Sequence, residues 1–271
     1  MHRRNFIRAV SGSLFLLANG NIVRADSFNE QKVLLRFAVA SDGHYGEDKT
    51  EFVPYYRSMV KSINDFHSKM PLNACVINGD IIHNDPVFLP DAAKVLQQLQ
   101  VPFYVTRGNH DRVSADIWQQ TWNMPLNHSV IVQDQVFLLG DTSNEKGKYL
   151  PPDPDFFNEN LKHYKHAKNI FIFLHITPVK WTENAVNGID FQKLIQKQKN
   201  IKAVFNGHDH DQDNIKMLGN IPFLFDGHFG GSWGTAYRGF RIVELLDDNS
   251  MRSYIMNPDV RINEFEERSG V

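Results

Sequence analysis

Val33-Leu34-Leu35-Arg36-Phe37-Ala38-Val39-Ala40-Ser41-Asp42-Gly43-His44 sets the pattern for the whole chain. An apolar run interrupted only by Arg36 reads as a strand buried on both faces, and it stops at a turn carrying two metal-capable side chains. The arrangement returns four times. Residues 73–78 precede Gly79-Asp80, and residues 102–106 precede Gly108-Asn109-His110-Asp111. Residues 170–174 precede His175, and residues 201–205 precede Asn206-Gly207-His208-Asp209-His210. Between the runs lie segments of helical spacing. In 51–68, Phe52, Tyr56, Val60, Ile63 and Phe66 recur at three- to four-residue intervals; 91–100 gathers Ala92, Val95, Leu96 and Leu99 on one face, and 190–199 is also amphipathic. Alternation of buried strand and helix predicts an α/β chain. Turn signals predict antiparallel hairpins at 129–140, at 214–226 around Gly219-Asn220, and between 238–246 and 251–256 across Asp247-Asp248-Asn249-Ser250. The expected architecture is a four-layer αββα sandwich, two mixed β-sheets flanked by helices, formed as one domain over residues 26–271. The polar tail 259–271 is expected to be loosely ordered.

A chain of 271 residues that is 42% hydrophobic suffices for one large core. Its 29 basic and 31 acidic side chains leave a net charge of −2, so no global field recruits nucleic acid or an anionic membrane. The single cysteine, Cys75, lies in the apolar run Ala74-Cys75-Val76-Ile77 and reads as a buried thiol. At the N-terminus, Arg3, Arg4 and Arg8 precede an apolar stretch at 9–18 that is too short to span a bilayer. Val23 and Ala25 occupy small-residue cleavage positions, so residues 1–25 are expected to be removed before Asp26. Arg3-Arg4-Asn5-Phe6-Ile7-Arg8 resembles a twin-arginine export signal. That resemblance implies the twin-arginine machinery as a partner and a periplasmic or extracellular destination, reached by an already folded, metal-loaded protein. No cysteine follows the signal, so no lipid anchor is expected.

Loops at the carboxyl ends of parallel strands gather along one edge of a sheet, so five groups distant in sequence are placed to meet. Gly43, Gly79, Gly108 and Gly207 let the backbone turn sharply there. The order Asp-x-His, Gly-Asp, Gly-Asn-His-Asp, His, Gly-His-x-His, running from Asp42 to His210, resembles the calcineurin-like metallophosphoesterase family. The resemblance implies that Asp42, His44 and His210 hold one metal ion and that Asn109, His175 and His208 hold another, with Asp80 bridging. Imidazole, carboxylate and carboxamide ligands without thiolate suit Mn, Fe or Zn. A phosphate ester is anionic and repels a nucleophile until cations neutralise it. A dinuclear pair does this and supplies the attacking hydroxide from a bridging water.

By the same resemblance, His110 contacts the substrate phosphate and protonates the leaving oxygen, with Asp111 orienting its imidazole and Asn109 also at the substrate. Arg112 reads either as a bidentate phosphate donor or as a surface arginine. His83 stands where purple acid phosphatases carry a tyrosine ligand; the presence of His44 matches the branch that does not use that position, so His83 reads first as a support for the site and second as a ligand. His228 lies in a glycine-rich loop after a strand and reads either as part of a cover over the site or as a histidine with no role there. Trp118, Trp122, Trp181 and Trp233 default to core packing and otherwise line a pocket. Asp209, between two ligand histidines, is expected to hydrogen-bond one of them. The expected activity is metal-dependent hydrolysis of a small phosphomonoester or phosphodiester. A cyclic-nucleotide phosphodiesterase is the alternative within the class, and a non-catalytic scaffold the alternative outside it.

Overall fold

The computed structural model describes residues 15–18, 21–24, 32–257 and 260–267. The paired arginines and the cleavage position of the export signal lie outside these residues. Within residues 1–25, expected to be a signal, β1 (Phe15–Ala18) pairs antiparallel with β2 (Asn21–Arg24). The chain continues through β3 (Val33–Ala40), α1 (Phe52–Lys69), β4 (Ala74–Asn78), α2 (Leu89–Leu96), β5 (Phe103–Thr106) and α3 (Ala115–Trp122). Next come β6 (His128–Val132), β7 (Gln135–Gly140), α4 (Pro154–His163), β8 (Ile170–Leu174), α5 (Ile189–Ile195) and β9 (Ile201–Asn206). The described chain closes with β10 (Ile215–Leu218), β11 (Ile221–Phe225), β12 (Phe240–Leu246), β13 (Met251–Asn257) and β14 (Val260–Glu267). No helix among the described residues is long and apolar enough to cross a membrane.

Two six-stranded mixed sheets result, ordered β10-β11-β9-β8-β7-β6 and β14-β13-β12-β3-β4-β5. The first has a parallel centre and antiparallel flanks, whereas in the second β3, β4 and β5 run parallel out to one edge and β12, β13 and β14 add on antiparallel. Side-chain alternation along β3 explains the layering. Leu35, Phe37 and Val39 face the other sheet, whereas Ala38 and Ala40 face the helices, and all are fully buried. The intersheet layer is aromatic: the Phe37 ring lies 4.9 Å from Phe137, 5.3 Å from Phe171 and 5.7 Å from Phe205. Helices α1, α2 and α3 cover one sheet through Tyr56, Ile63, Leu96 and Trp118, and α4 and α5 cover the other through Phe157 and Phe191. The expected sandwich and its hairpins are therefore present. Gly219 takes positive φ (62°) at the first position of the two-residue turn joining β10 and β11, where a II′ hairpin requires it.

Two differences stand out. The tail expected to be loose instead adds β14 to the edge of β13, with Phe265 packed on the intersheet core and the Arg261 guanidinium 4.0 Å from the Tyr254 ring centre. Helices α3 and α4 also form, in segments where the sequence pattern names no element. Ser114 accepts from Ile117 N at the start of α3, and Asp153 accepts from Asp155 N and Phe156 N at the start of α4.

Candidate metal centre

Within each sheet the parallel strands point their carboxyl ends the same way, and main-chain hydrogen bonds stitch the loops that follow. Asp42 N donates to Gly79 O (3.1 Å), His44 N to Asp80 O (2.9 Å) and Gly207 N to His175 O (3.0 Å). The sheets are joined at the same edge: Gly230 N donates to Asp42 O at 3.0 Å, and His208 N reaches both Asp42 carboxylate oxygens at 3.1 and 3.0 Å. This proximity needs glycine. A Cβ on Gly207 would collide with Ser41 Oγ and the Asp42 carboxylate, and one on Gly108 with the side chain and backbone of Asp80. Asp42, His44, Asp80, Asn84 and His208 all have φ between 48° and 69°, a conformation non-glycine residues rarely adopt. Their clustering concentrates backbone strain at one spot, as functional sites do.

The side chains fall into two buried groups, Asp42 with His44 and His210, and Asp80 with His175 and His208, and a third set, His44 with His83 and His110, shares His44 at the rim. Within each group one ligand atom per residue lies within 4.8 Å of the others. Asp42 Oδ1 is 3.1 Å from His210 Nε2, and Asp80 Oδ2 is 3.1 Å from His175 Nε2 and 3.7 Å from His44 Nε2. One oxygen of Asp80 thus stands between the groups, while its other oxygen accepts from His110 N at 2.7 Å. The imidazoles are oriented from behind. His175 Nδ1 donates to Asn78 O at 2.8 Å and His210 Nδ1 to Trp233 O at 3.1 Å, which turns both Nε2 atoms inward. Asn109 Oδ1 and His208 Nε2 are buried without any hydrogen-bond partner. Buried polar atoms rarely stay unpaired, and these two belong to the expected ligand set, so the donors present fit metal ions.

Burial and charge divide the ligands. Burial alone would raise the Asp42 and Asp80 carboxyls, but facing imidazoles, His210 and His175 for Asp42 and His175 for Asp80, hold both below the ordinary range. Burial pulls His44 down to about 3 and His208 down to about 4. Burial acts the same way on His175, yet Asp80 and Asp42 push it up to about 10, and His210 is raised by Asp42 against the same penalty.

The remaining expectations are sorted by contacts. His110 sits at the rim, half-buried, with Nδ1 3.0 Å from Asn84 Oδ1. Asp111 does not orient it. Its buried carboxylate accepts from Ile82 N and Gly108 N, both at 2.8 Å, and burial together with Asp80 pushes it up to about 7. Asn84 does the job assigned to Asp111, and nothing in the sequence marked it. His83 supports two neighbours, with Nδ1 3.0 Å from His44 Nδ1 and its ring stacked 4.7 Å from His110. Arg112 is exposed beside Gly147, close enough to help lower His83. His228 is buried, and both its nitrogens face carbonyls, those of Gly230 and Thr235, so it packs against His210 and does not cover the site. Asp209 bonds Thr182 Oγ1 (3.0 Å) and Asn184 Nδ2 (3.2 Å), tying down the loop after β8 and leaving the histidines alone. Trp118 and Trp122 are core, and Trp181 packs on Phe223. Trp233, in contrast, lies at the centre, and Tyr149, missed from sequence, meets His208 edge to face at 4.8 Å.

Comparison with known proteins places this geometry. The family model described as calcineurin-like phosphoesterase matches residues 35–212, which contain all seven expected ligands. A curated protein of Psychrobacter arcticus named probable cyclic nucleotide phosphodiesterase is 26% identical over 215 residues, 68% of this chain and 76% of that protein. A dimetal phosphatase from Danio rerio superposes with a TM-score of 0.68 at 12% identity, over 88% of this chain and 99% of that one. GAP50, the anchor in the inner membrane complex of Plasmodium, superposes at 0.66 with 14% identity, over 88% and 89% of the two chains.

Proposed function

This chain belongs to the calcineurin-like phosphoesterase family, and from that premise we propose that it hydrolyses phosphate esters with two metal ions, one held by Asp42, His44 and His210 and one by Asn109, His175 and His208. The observation that carries the proposal is Asp80 Oδ2 standing within 4 Å of a ligand nitrogen from each group, the position a bridging carboxylate takes. Two such ions neutralise the phosphoryl oxygens and activate water at neutral pH. The chain's own residues do the rest. His110 donates through Nδ1 to Asn84, so only its imidazolium form also carries a hydrogen on Nε2; that form hands the Nε2 proton to the leaving oxygen and the neutral imidazole left behind is reprotonated from solvent. Exposed Arg112, near His83, supplies positive charge at the rim where the anionic ester enters.

Within the class, the Psychrobacter arcticus relative favours a cyclic-nucleotide diester. A scaffold reading has less support, because a scaffold does not need a complete ligand set in which Asn109 Oδ1 and His208 Nε2 stay buried without a partner. The Arg3-Arg4 motif supports export by the twin-arginine route, and an Arg3→Lys, Arg4→Lys double variant is expected to stay in the cytosol in a fractionation experiment. The activity is tested by loading the protein with Mn, Fe or Zn and assaying a nitrophenyl phosphate, its diester and cyclic nucleotides with and without chelator. Chelator-sensitive hydrolysis is expected. Inertness on every ester, with two ions confirmed bound, would sink the proposal.

A further inference from the structure

Trp233 is large, apolar and 49% exposed, yet it is firmly held. Its indole lies parallel to the His210 imidazole, 4.2 Å between centres and 6° between planes, and its carbonyl accepts from His210 Nδ1. The loop around it is pinned. Ser232 Oγ donates to Glu47, Arg238 donates to Gly231 O at 2.9 Å, and Thr235 N donates to His210 O at 3.0 Å. Positive φ at Gly231 (76°) and Gly234 (124°) bends the chain on either side. A rigid aromatic plane has therefore been placed directly on a candidate metal ligand, with one face spent on that ligand and the rest open to solvent. Packing does not account for it, since the core-forming tryptophans Trp118 and Trp122 are buried. A π surface this close to the phosphoester position suits a flat ring attached to the substrate, and a preformed platform lowers the ordering cost of binding.

The geometry points to Trp233 as the surface on which a nucleobase of the substrate stacks while its phosphoester lies at the metal centre. The inference rests on the phosphoesterase reading and sharpens it to nucleotide substrates.

The test uses metal-loaded protein and a nucleoside 5′-phosphonate, whose carbon-to-phosphorus link resists hydrolysis, against the base-free ribose phosphonate. Affinities come from calorimetry, and stacking from quenching of tryptophan fluorescence. The nucleoside ligand is expected to bind more tightly. Trp233→Ala is expected to weaken it by about 5- to 150-fold, the loss typical of one base–aromatic stack, while changing the ribose ligand far less. Trp233→Phe keeps a ring and is expected to retain most of the preference. Metal content measured in all three proteins separates stacking from disturbance of His210. Equal affinity of the wild-type protein for the two ligands, or equal losses on both in Trp233→Ala, would overturn the inference. The two readings fail separately. Hydrolysis of a base-free alkyl diester without nucleobase preference removes the platform alone, whereas nucleoside binding through Trp233 without metal-dependent hydrolysis of any ester removes the phosphoesterase alone.

Discussion

His110 is fixed at one nitrogen by Asn84 and open at the other, and the consequence is a specific kinetic signature. His110→Ala is expected to lower kcat by about 100- to 10,000-fold with metal content unchanged. The loss should be largest for alkoxide leaving groups, which need a proton, and smallest for nitrophenolate, which does not. Equal losses on both would assign His110 a binding role only. The ligand charges yield a second expectation. His175, raised to about 10, carries a proton in the metal-free site at neutral pH, and His210 is shifted in the same direction by Asp42, whereas His44 and His208, at about 3 and about 4, are already neutral. Metal must displace the His175 proton and none from His44 or His208, so affinity rises with pH through and above neutrality and falls in acid. Calorimetry in buffers of different ionisation enthalpy should show about one proton or more released at about pH 7; none released would contradict this charge assignment. At this scale the ligand types were legible because each closes an apolar run. Asn84 and Trp233 were not, because their roles depend on which loops meet, and nothing local marks an asparagine or tryptophan as facing a histidine far along the chain.

Strands and helices were legible where a period survives. Buried runs such as Val33–Ala40 declare themselves, as does the stripe of α1. β14 hides because its period breaks: Ser253 pairs Phe265 but Ile255 pairs Ile262, so one strand gains a residue, and Asn263 (φ 49°) takes the left-handed conformation of a bulge. The alternation that would announce a strand shifts phase there. The outer half of the same sheet carries a charge ladder set by register. Glu244 of β12 faces Arg36 on β3 and Arg252 on β13, with contacts of 2.7 and 2.6 Å. Burial would raise the Glu244 carboxyl, but the two guanidinium groups outweigh it and hold it below its ordinary 4.5. A depressed acid stabilises the fold at pH above its unfolded value and loses that contribution as pH falls through the folded value. Stability should therefore decline below about pH 4.5. Glu244→Gln is expected to lose about 1–3 kcal/mol near neutrality and to show a flatter acid limb. Urea titrations of both proteins across that window check it, and parallel limbs would mean that other carboxyls govern acid unfolding.

The whole molecule places its chemistry where its two sheets meet. Asp42, His44, Asp80 and Asn109 follow strands of one sheet, and His175, His208 and His210 follow strands of the other, so each ligand group draws on both. Metal bound there would tie the two sheets together, and because an unfolded chain cannot gather these donors, binding would count toward stability. At free metal about 100 times Kd the gain is about 2.7 kcal/mol for one site. For a domain of this size that corresponds to roughly 5–10 °C in Tm. Chelator should therefore lower Tm, and re-addition of metal should restore it. Asp80→Asn is the decisive comparison. It keeps the side chain's shape and an oxygen to accept from His110 N, but it removes the charge shared by the two groups. Its metal-induced rise in Tm should shrink well below that of the wild type, while Glu244→Gln, remote from the centre, should keep the full rise from a lower starting point. If Asp80→Asn gained as much from metal as the wild type, the carboxylate would not bridge, and the two groups would have to be read as separate sites on one edge.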